Sequence, residues 1–201
     1  VLVQFSRALS DEANRAALAA AAALGADPPP GTSEIVPSLV SVLVTYDPAA
    51  TDPSALSAQI ALRLSAKINF EPTTTASHAI QVTFDGEDLP GVAQSLGLSP
   101  AQFIERHNGS SLRVLATGFA PGFVYCGFHP QGLRLPRRQQ VRALVPVGTV
   151  LFAAGQTAIA ATPIPTGWHV IGHTDLRNFD PAREPPTRLA AGDTVIFRNA
   201  P

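Results

Sequence analysis

The chain has 201 residues, 45% of them hydrophobic and only 14% charged, with 14 basic against 15 acidic side chains. That length buries a substantial core in one or two domains, and that composition excludes a disordered chain. A net charge of -1 gives no footing for nucleic acid or an anionic membrane as partner, and no run approaches the roughly 18 apolar residues that span a bilayer.

Val1 to Phe5 reads as the end of a strand. Ser10 then caps a helix whose first turn carries Asp11 and Glu12, whose body holds seven alanines between Ala16 and Ala23, and which stops at Gly25. After the Pro28–Gly31 loop, Glu34–Val36 and Leu39–Tyr46 read as strands broken at Pro37. Asp52-Pro53 opens a second helix to about Ala66, and Ile68–Phe70 is a short closing strand. Strand, helix, strand, strand, helix, strand is the split βαβ order of a ferredoxin-like α+β domain, so residues 1–75 are expected to be a scaffold domain without chemistry of their own. Glu71 to Ser77 is the expected linker. Residues 76–201 form the second domain. His78–Phe84 alternates as a half-buried strand, and two short helices follow, the second with a capping box at Ser99 and Gln102. Ser110–Ala116 is a strand. Beyond it helix signals nearly vanish. Short strands at Val141–Val145, Thr149–Phe152, Thr157–Ala161, Trp168–Ile171 and Thr194–Arg198 predict an all-β barrel or sandwich.

The stretch Gly118–Phe128 (GFAPGFVYCGF) holds three glycines, a proline and four aromatic residues. It reads as a shaped loop lining a pocket, or else as a tight core crossover. No carboxylate occurs between Glu105 and Asp175, while six arginines do: Arg106, Arg113, Arg134, Arg137, Arg138 and Arg142. A planar guanidinium fork matches carboxylate or phosphate, so the interval is a candidate anion site, the alternative being solvated surface charge. Three glycine corners, at Gly155-Gln156-Thr157, Gly167-Trp168-His169 and Gly172-His173, supply polar groups beside aromatic walls. Trp168 by itself is more often core.

Other chemistry is missing. There is no GxxxxGK[ST] loop, no GxSxG elbow, and no metal-binding spacing among His78, His107, His129, His169 and His173, which read as ordinary polar residues. The single cysteine, Cys126, has no internal partner; it reads as a buried thiol and points to a cytoplasmic protein. No methionine occurs, position 1 included, so the numbered chain is expected to begin after its start.

The run Gly118-Phe119-Ala120-Pro121-Gly122-Phe123-Val124-Tyr125 resembles the GFxPGFxY signature of one family, that of the 5-oxoprolinase B subunits, the Kip sporulation-kinase inhibitors and allophanate hydrolase subunit 1. Pro136-Arg137-Arg138, Val145-Pro146-Val147-Gly148, Gly155-Gln156-Thr157, Gly167-Trp168, Ile171-Gly172, Phe179-Asp180-Pro181 and Gly192-Asp193 match it in order, as do Val36-Pro37 and Asp47-Pro48. The resemblance implies a ferredoxin-like domain followed by a cyclophilin-like β-barrel, and a two-barrel unit like the carboxyltransferase part of urea carboxylase. It also implies a C-subunit partner with a related barrel, an A subunit, and opening of 5-oxoproline, a small anionic amide, at the expense of ATP in the complex. Arg137, Arg138 and Gln156 are then the candidate catalytic residues. Gly118, Phe119, Pro121, Gly122, Phe123, Tyr125, Arg142, Thr157, Trp168, His169, Gly172 and His173 are the candidate substrate-binding residues, with no metal. The arginines would hold developing charge, and Gln156 with Thr157 would orient the amide. The chain departs from the family at Ala158–Ala161 (usually GIYP), at Val141 (usually proline) and at His173 (usually arginine). A second implied function is inhibition of a sensor histidine kinase. Prolyl isomerisation is suggested by fold alone.

Overall fold

A computed structural model of the chain describes residues 1–65 and 76–200, and two compact units are present, Val1–Thr74 and Thr75–Pro201. The first contains β1 (Leu2–Gln4), α1 (Asp11–Ala26), β2 (Thr32–Pro37), β3 (Ser41–Tyr46) and α2 (Pro53–Ser65). Helix α1 begins where its cap demands: Ser10 Oγ accepts the Ala13 amide at 3.2 Å. Ala13, Ala17, Ala20 and Leu24, three or four residues apart, form its buried face, and their small side chains let the helix lie close on β2 and β3. Val42 and Val44 point into that core while Leu43 between them is exposed, the alternation of a sheet covered on one side. The sheet is antiparallel in the order β1-β3-β2, with Leu2 opposite Leu43. The second strand starts at Ser41 instead of Leu39, because a Ser38 N–Ser41 O turn of 2.7 Å occupies the intervening residues. The expected helix end at Ala66, the expected strand Ile68–Phe70 and residues 71–75 of the linker lie outside the described residues; Ser77 already belongs to a strand.

The second unit contains β4 (Ser77–Val82), α3 (Leu89–Ser95), α4 (Pro100–Asn108), β5 (Leu112–Thr117), β6 (Val124–Gly127), β7 (Arg142–Val145), β8 (Thr149–Ala153), β9 (Gln156–Ile159), β10 (Ile164–Thr166), β11 (His169–His173) and β12 (Thr194–Asn199). The capping box on α4 is present, with both Ser99–Gln102 hydrogen bonds made. Seven strands form one sheet in the order β11-β8-β9-β6-β5-β12-β4, antiparallel except for the β12–β4 pair. The sheet curls until its two edges meet: Thr83 and His173 exchange backbone hydrogen bonds of 2.9 Å in each direction. Gly172 makes the seam possible, since a Cβ there would sit 2.3 Å from the Thr83 carbonyl oxygen.

Strand β8 is buried on both sides, with Val150 and Phe152 facing inward and Leu151 and Ala153 outward. The inner core also takes Val114, Cys126, Phe197 and, from α4, Phe103. On the outer face Phe123, Ala158 and Trp168 pack with Val145 and Ile164 of the β7–β10 pair. Strand β10 escaped the sequence reading because Pro165 sits in its middle, and proline is tolerated there only because the strand pairs on one side. Four residues of the expected Gly118–Phe128 loop, Val124–Gly127, are likewise strand β6, hydrogen-bonded to β5 and β9. No described helix is long and apolar enough to cross a membrane.

Candidate functional site

Residues 118–123 form the turn of the β5–β6 hairpin, closed by Gly118 N–Phe123 O and Phe123 N–Ala120 O hydrogen bonds of 3.0 Å. Gly122 has φ +68, and a Cβ on it would lie 2.6 Å from Phe179 Cβ. Its carbonyl accepts the Asn178 amide at 2.8 Å, and Asn178 Oδ1 accepts Leu189 N at 2.9 Å, so a buried asparagine anchors the turn. The anchoring leaves Phe119 at the tip with φ +78 and 71% exposed. Pro121 is also exposed.

From that tip an aromatic row runs along the outer face. Phe119 meets Phe123 edge-on at 5.6 Å between centroids, Phe123 meets Tyr125 at 4.9 Å, and Tyr125 meets Trp168 at 6.0 Å. These T-shaped contacts follow from the ring quadrupoles. Phe123 and Tyr125 share a face because they are two apart on β6 and its lead-in. Arg137 closes the row, its Cζ 5.5 Å from the Trp168 ring centre. This cation–π stack is the only interaction of the Arg137 guanidinium among the described residues apart from its field on Tyr125. Burial raises the Tyr125 phenol pKa and the Arg137 charge only partly offsets that, so Tyr125 stays a protonated O–H donor.

Arg138 and Arg142 do not add to an open positive field. Asp88, at the start of α3, takes Arg138 Nη1 on Oδ1 and Arg142 Nη2 on Oδ2 at 2.9 Å, and Glu87 takes Arg142 Nη1. The acid-free interval of the sequence is thus supplied with carboxylates from upstream. Burial works to raise the Asp88 pKa, but the Val170 amide, Arg138 and Arg142 outweigh it and hold the carboxyl below its ordinary value.

Gln156 and Thr157, expected to act together, face opposite sides of β9. Gln156 lies on the outer face beside Gly127, one diagonal step from Tyr125, whose direct cross-strand partner is Ala158. It is buried, and its Oε1 accepts nothing. Thr157 points inward, where its hydroxyl lies 2.8 Å from both His107 Nε2 and His129 Nε2. The partners order the protons. His107 Nδ1–H donates to Asn108 Oδ1 at 2.8 Å, so its Nε2 accepts the Thr157 hydroxyl, and that oxygen accepts His129 Nε2–H. His129 Nδ1 is left a bare, buried acceptor. Burial is the main cause that pushes the His107 pKa down to about 4, and burial with the neighbouring His107 pushes His129 down to about 2. Cys126, fully buried, is pushed up to about 12.

The remaining candidates make contacts within the fold. His169 Nε2 donates to the Pro136 carbonyl at 3.0 Å. Gly172 closes the seam, and His173 pairs there with Asp85 at 2.9 Å, in an exposed position lining a cavity of about 230 Å³ with Ile80, Thr83 and Leu176. Gly118 sits in the turn with φ +124. Asp88 and Asn178 were not singled out from the sequence, and His107 and His129, read there as ordinary polar residues, are buried in the core. Only His107 carries a signal, lying four residues after Phe103 on the apolar side of α4. Among the described residues no group of three or more His, Cys, Asp and Glu is placed to hold a metal.

Comparison with known proteins gives first the class. The family described as carboxyltransferase domain, subdomain C and D, matches residues 1–189. Urea carboxylase of Kluyveromyces lactis shares the fold over all of this chain and 21% of its own, with a TM-score of 0.79 at 13% identity. The chain belongs to that carboxyltransferase-domain family. Its relatives there include the 5-oxoprolinase B subunit of Bacillus subtilis (strain 168), 31% identical over 98% of this chain and 88% of that one. The 5-oxoprolinase B subunit of Escherichia coli O157:H7 is 46% identical over 56% of this chain, a match spanning about half of that relative (51%). The structure of TTHA0988 covers this chain completely at TM-score 0.87 and 37% identity, but the match takes up only 39% of the TTHA0988 chain.

Proposed function

We propose that the chain is the B subunit of a heteromeric, ATP-dependent 5-oxoprolinase, which opens 5-oxoproline to L-glutamate only when paired with a C-subunit homologue carrying a related barrel, together with an A subunit. The observation that carries the site is the Arg137–Trp168 stack: an exposed guanidinium without a carboxylate partner among the described residues, joined through Tyr125 to the unpartnered Gln156 Oε1. 5-Oxoproline offers one carboxylate, one lactam N–H and one lactam carbonyl. Arg137 takes the carboxylate and the protonated Tyr125 phenol is the donor available to the carbonyl, while the buried Gln156 Oε1 accepts the N–H once the side chains covering it move aside. ATP acts at the level of the complex. Arg138 and Arg142 are committed to Asp88 and Glu87, which argues for phosphate contacts on a partner subunit. The exposed Phe119, Val141 and Leu144 are the apolar side chains offered to the C subunit.

The two units fit this reading as a ferredoxin-like domain, residues 1–75, and a cyclophilin-like barrel, residues 76–201. The antiparallel order β1-β3-β2 and the curled seven-stranded sheet support it. A cytoplasmic location accords with the lone buried thiol of Cys126. The 5-oxoprolinase relatives lend the kinase-inhibitor reading no support. The test is 5-oxoproline-dependent ATP hydrolysis by the reconstituted complex. Arg137→Ala should lower kcat/KM on the order of 100-fold, the loss of a charge-assisted pair; an unchanged value removes Arg137 from the site, and a wild-type complex inert toward 5-oxoproline overturns the substrate.

A further inference from the structure

Three ties hold the Arg137–Trp168 stack in place, and they share one geometry. The residues on either side of Arg137 bond to the residues on either side of Trp168. The Pro136 carbonyl accepts His169 Nε2–H at 3.0 Å, and Arg138 N donates to the Gly167 carbonyl at 2.7 Å. Arg137 and Trp168 therefore face each other as the middle rung of a short ladder, although no strand pairing runs there. The third tie is the Asp88 carboxylate, which reaches both rails. It accepts from the side chain of Arg138 on one rail and from the Val170 amide, at 2.7 Å, on the other. It also accepts Arg142 Nη2 at 2.9 and 3.1 Å, which fixes the far end of the 137–142 segment, where β7 begins, to the start of α3. The Asp88 side chain is only 16% exposed, and the Asp88 N–Val170 O hydrogen bond of 3.1 Å holds its own backbone to the same strand.

We propose that Asp88 is the positioning residue of this site, with Arg138 and Arg142 acting as its braces, so that a carboxylate from another part of the fold sets the angle at which the Arg137 guanidinium meets the substrate carboxylate. The role assigned to the substrate rests on the 5-oxoprolinase reading; the role of Asp88 on the stack does not. Without the carboxylate, two guanidiniums within one segment lose their shared counter-charge and the 137–142 segment loses its hold on β11. Arg137 binds a group that keeps its charge throughout the reaction. Misplacing it weakens ground state and transition state alike, which is the signature of a raised KM with a retained kcat.

Trp168 is the only tryptophan of the chain, so its emission reports the stack directly, without any reaction. The experiment compares Asp88→Asn, Asp88→Glu and Glu87→Gln in the full chain, by Trp168 emission and acrylamide quenching, and in the reconstituted complex by kinetics. Asp88→Asn should red-shift the emission and increase quenching as Arg137→Ala does. It should raise the KM for 5-oxoproline on the order of tenfold, the loss of roughly one charge-assisted hydrogen bond, with kcat within about twofold. Asp88→Glu, which keeps the charge, should restore part of both. Glu87→Gln, which removes only an exposed contact to Arg142, should change neither. An Asp88→Asn protein with wild-type emission and quenching overturns the proposal, as does one whose kcat falls with KM unchanged. If Asp88→Asn does not fold, Arg138→Gln removes a single partner and carries the same expectation and the same refutation. A complex with no activity on 5-oxoproline would overturn the substrate while the fluorescence comparison still decides the role of Asp88.

Discussion

Mild acid should destabilise the second unit through its two core histidines. Both are neutral in the native state, His107 with its pKa pushed down to about 4 and His129 to about 2. In the unfolded chain each titrates near 6.5. Below that value the unfolded state takes up protons that the native state refuses, so stability is complete above about pH 6.5 and is lost as pH falls. Between pH 7 and pH 5 the loss is set almost wholly by the unfolded value, because both native values lie below 5; it comes to about 2 kcal/mol for each histidine and about 4 kcal/mol for the pair. Asp88 does not enter this window: its native pKa is lowered, so its contribution disappears only at still lower pH. The assay is urea unfolding followed by Trp168 emission at pH 7, 6 and 5. Wild type should lose about 4 kcal/mol and His129→Asn about half as much, since its asparagine cannot titrate. A wild-type stability that is flat from pH 7 to pH 5, or a His129→Asn variant as acid-sensitive as wild type, would refute the proton inventory of the core.

Gly172→Ala should destabilise the second unit by about 3 kcal/mol or more, because the added methyl group meets the Thr83 carbonyl at 2.3 Å and must push the seam apart; an unfolding midpoint within error of wild type would show that the edges are not locked. Phe119→Ser should leave the stability of the isolated chain within about 0.5 kcal/mol, since the ring is 71% exposed. The same substitution should weaken pairing with the C-subunit homologue about tenfold or more by calorimetry, and an unchanged affinity would remove the hairpin tip from the docking face.

Local pattern carries only as far as the chain's own periodicity. The cap at Ser10 and the capping box at Ser99 are legible, because each depends on residues a few positions apart. The aromatic row through Phe123 and Tyr125 was not, because the glycines and proline make the stretch read as a loop, whereas Val124–Gly127 is a strand whose alternation sets both rings on one face. The charge balance of the site was not legible. The interval from Arg106 to His173 contains no acid, yet Asp88 arrives because β11 lies against the start of α3 and the sheet closes on itself, a consequence of topology and not of spacing. Two buried histidines meeting at one threonine is a fact of the same kind, His129 lying 28 positions and His107 50 positions before Thr157.

The sequence pair Gln156-Thr157 shows most sharply what a linear reading cannot separate. One residue serves an outer face of aromatic rings and a guanidinium, and the next serves an inner core of neutral imidazoles. A slip of one residue in the β9 register would exchange them, setting a hydroxyl beside the Tyr125 row and an amide among Phe103, Phe152 and the two histidines. The hydroxyl satisfies both imidazole Nε2 atoms at 2.8 Å, whereas a slip in the other direction, which brings Ala158 to that place, leaves two buried imidazole nitrogens without partners, at a cost of about 1–3 kcal/mol each. The inner polar thread therefore fixes the register of β9, and through it the place of the Gln156 acceptor on the opposite face.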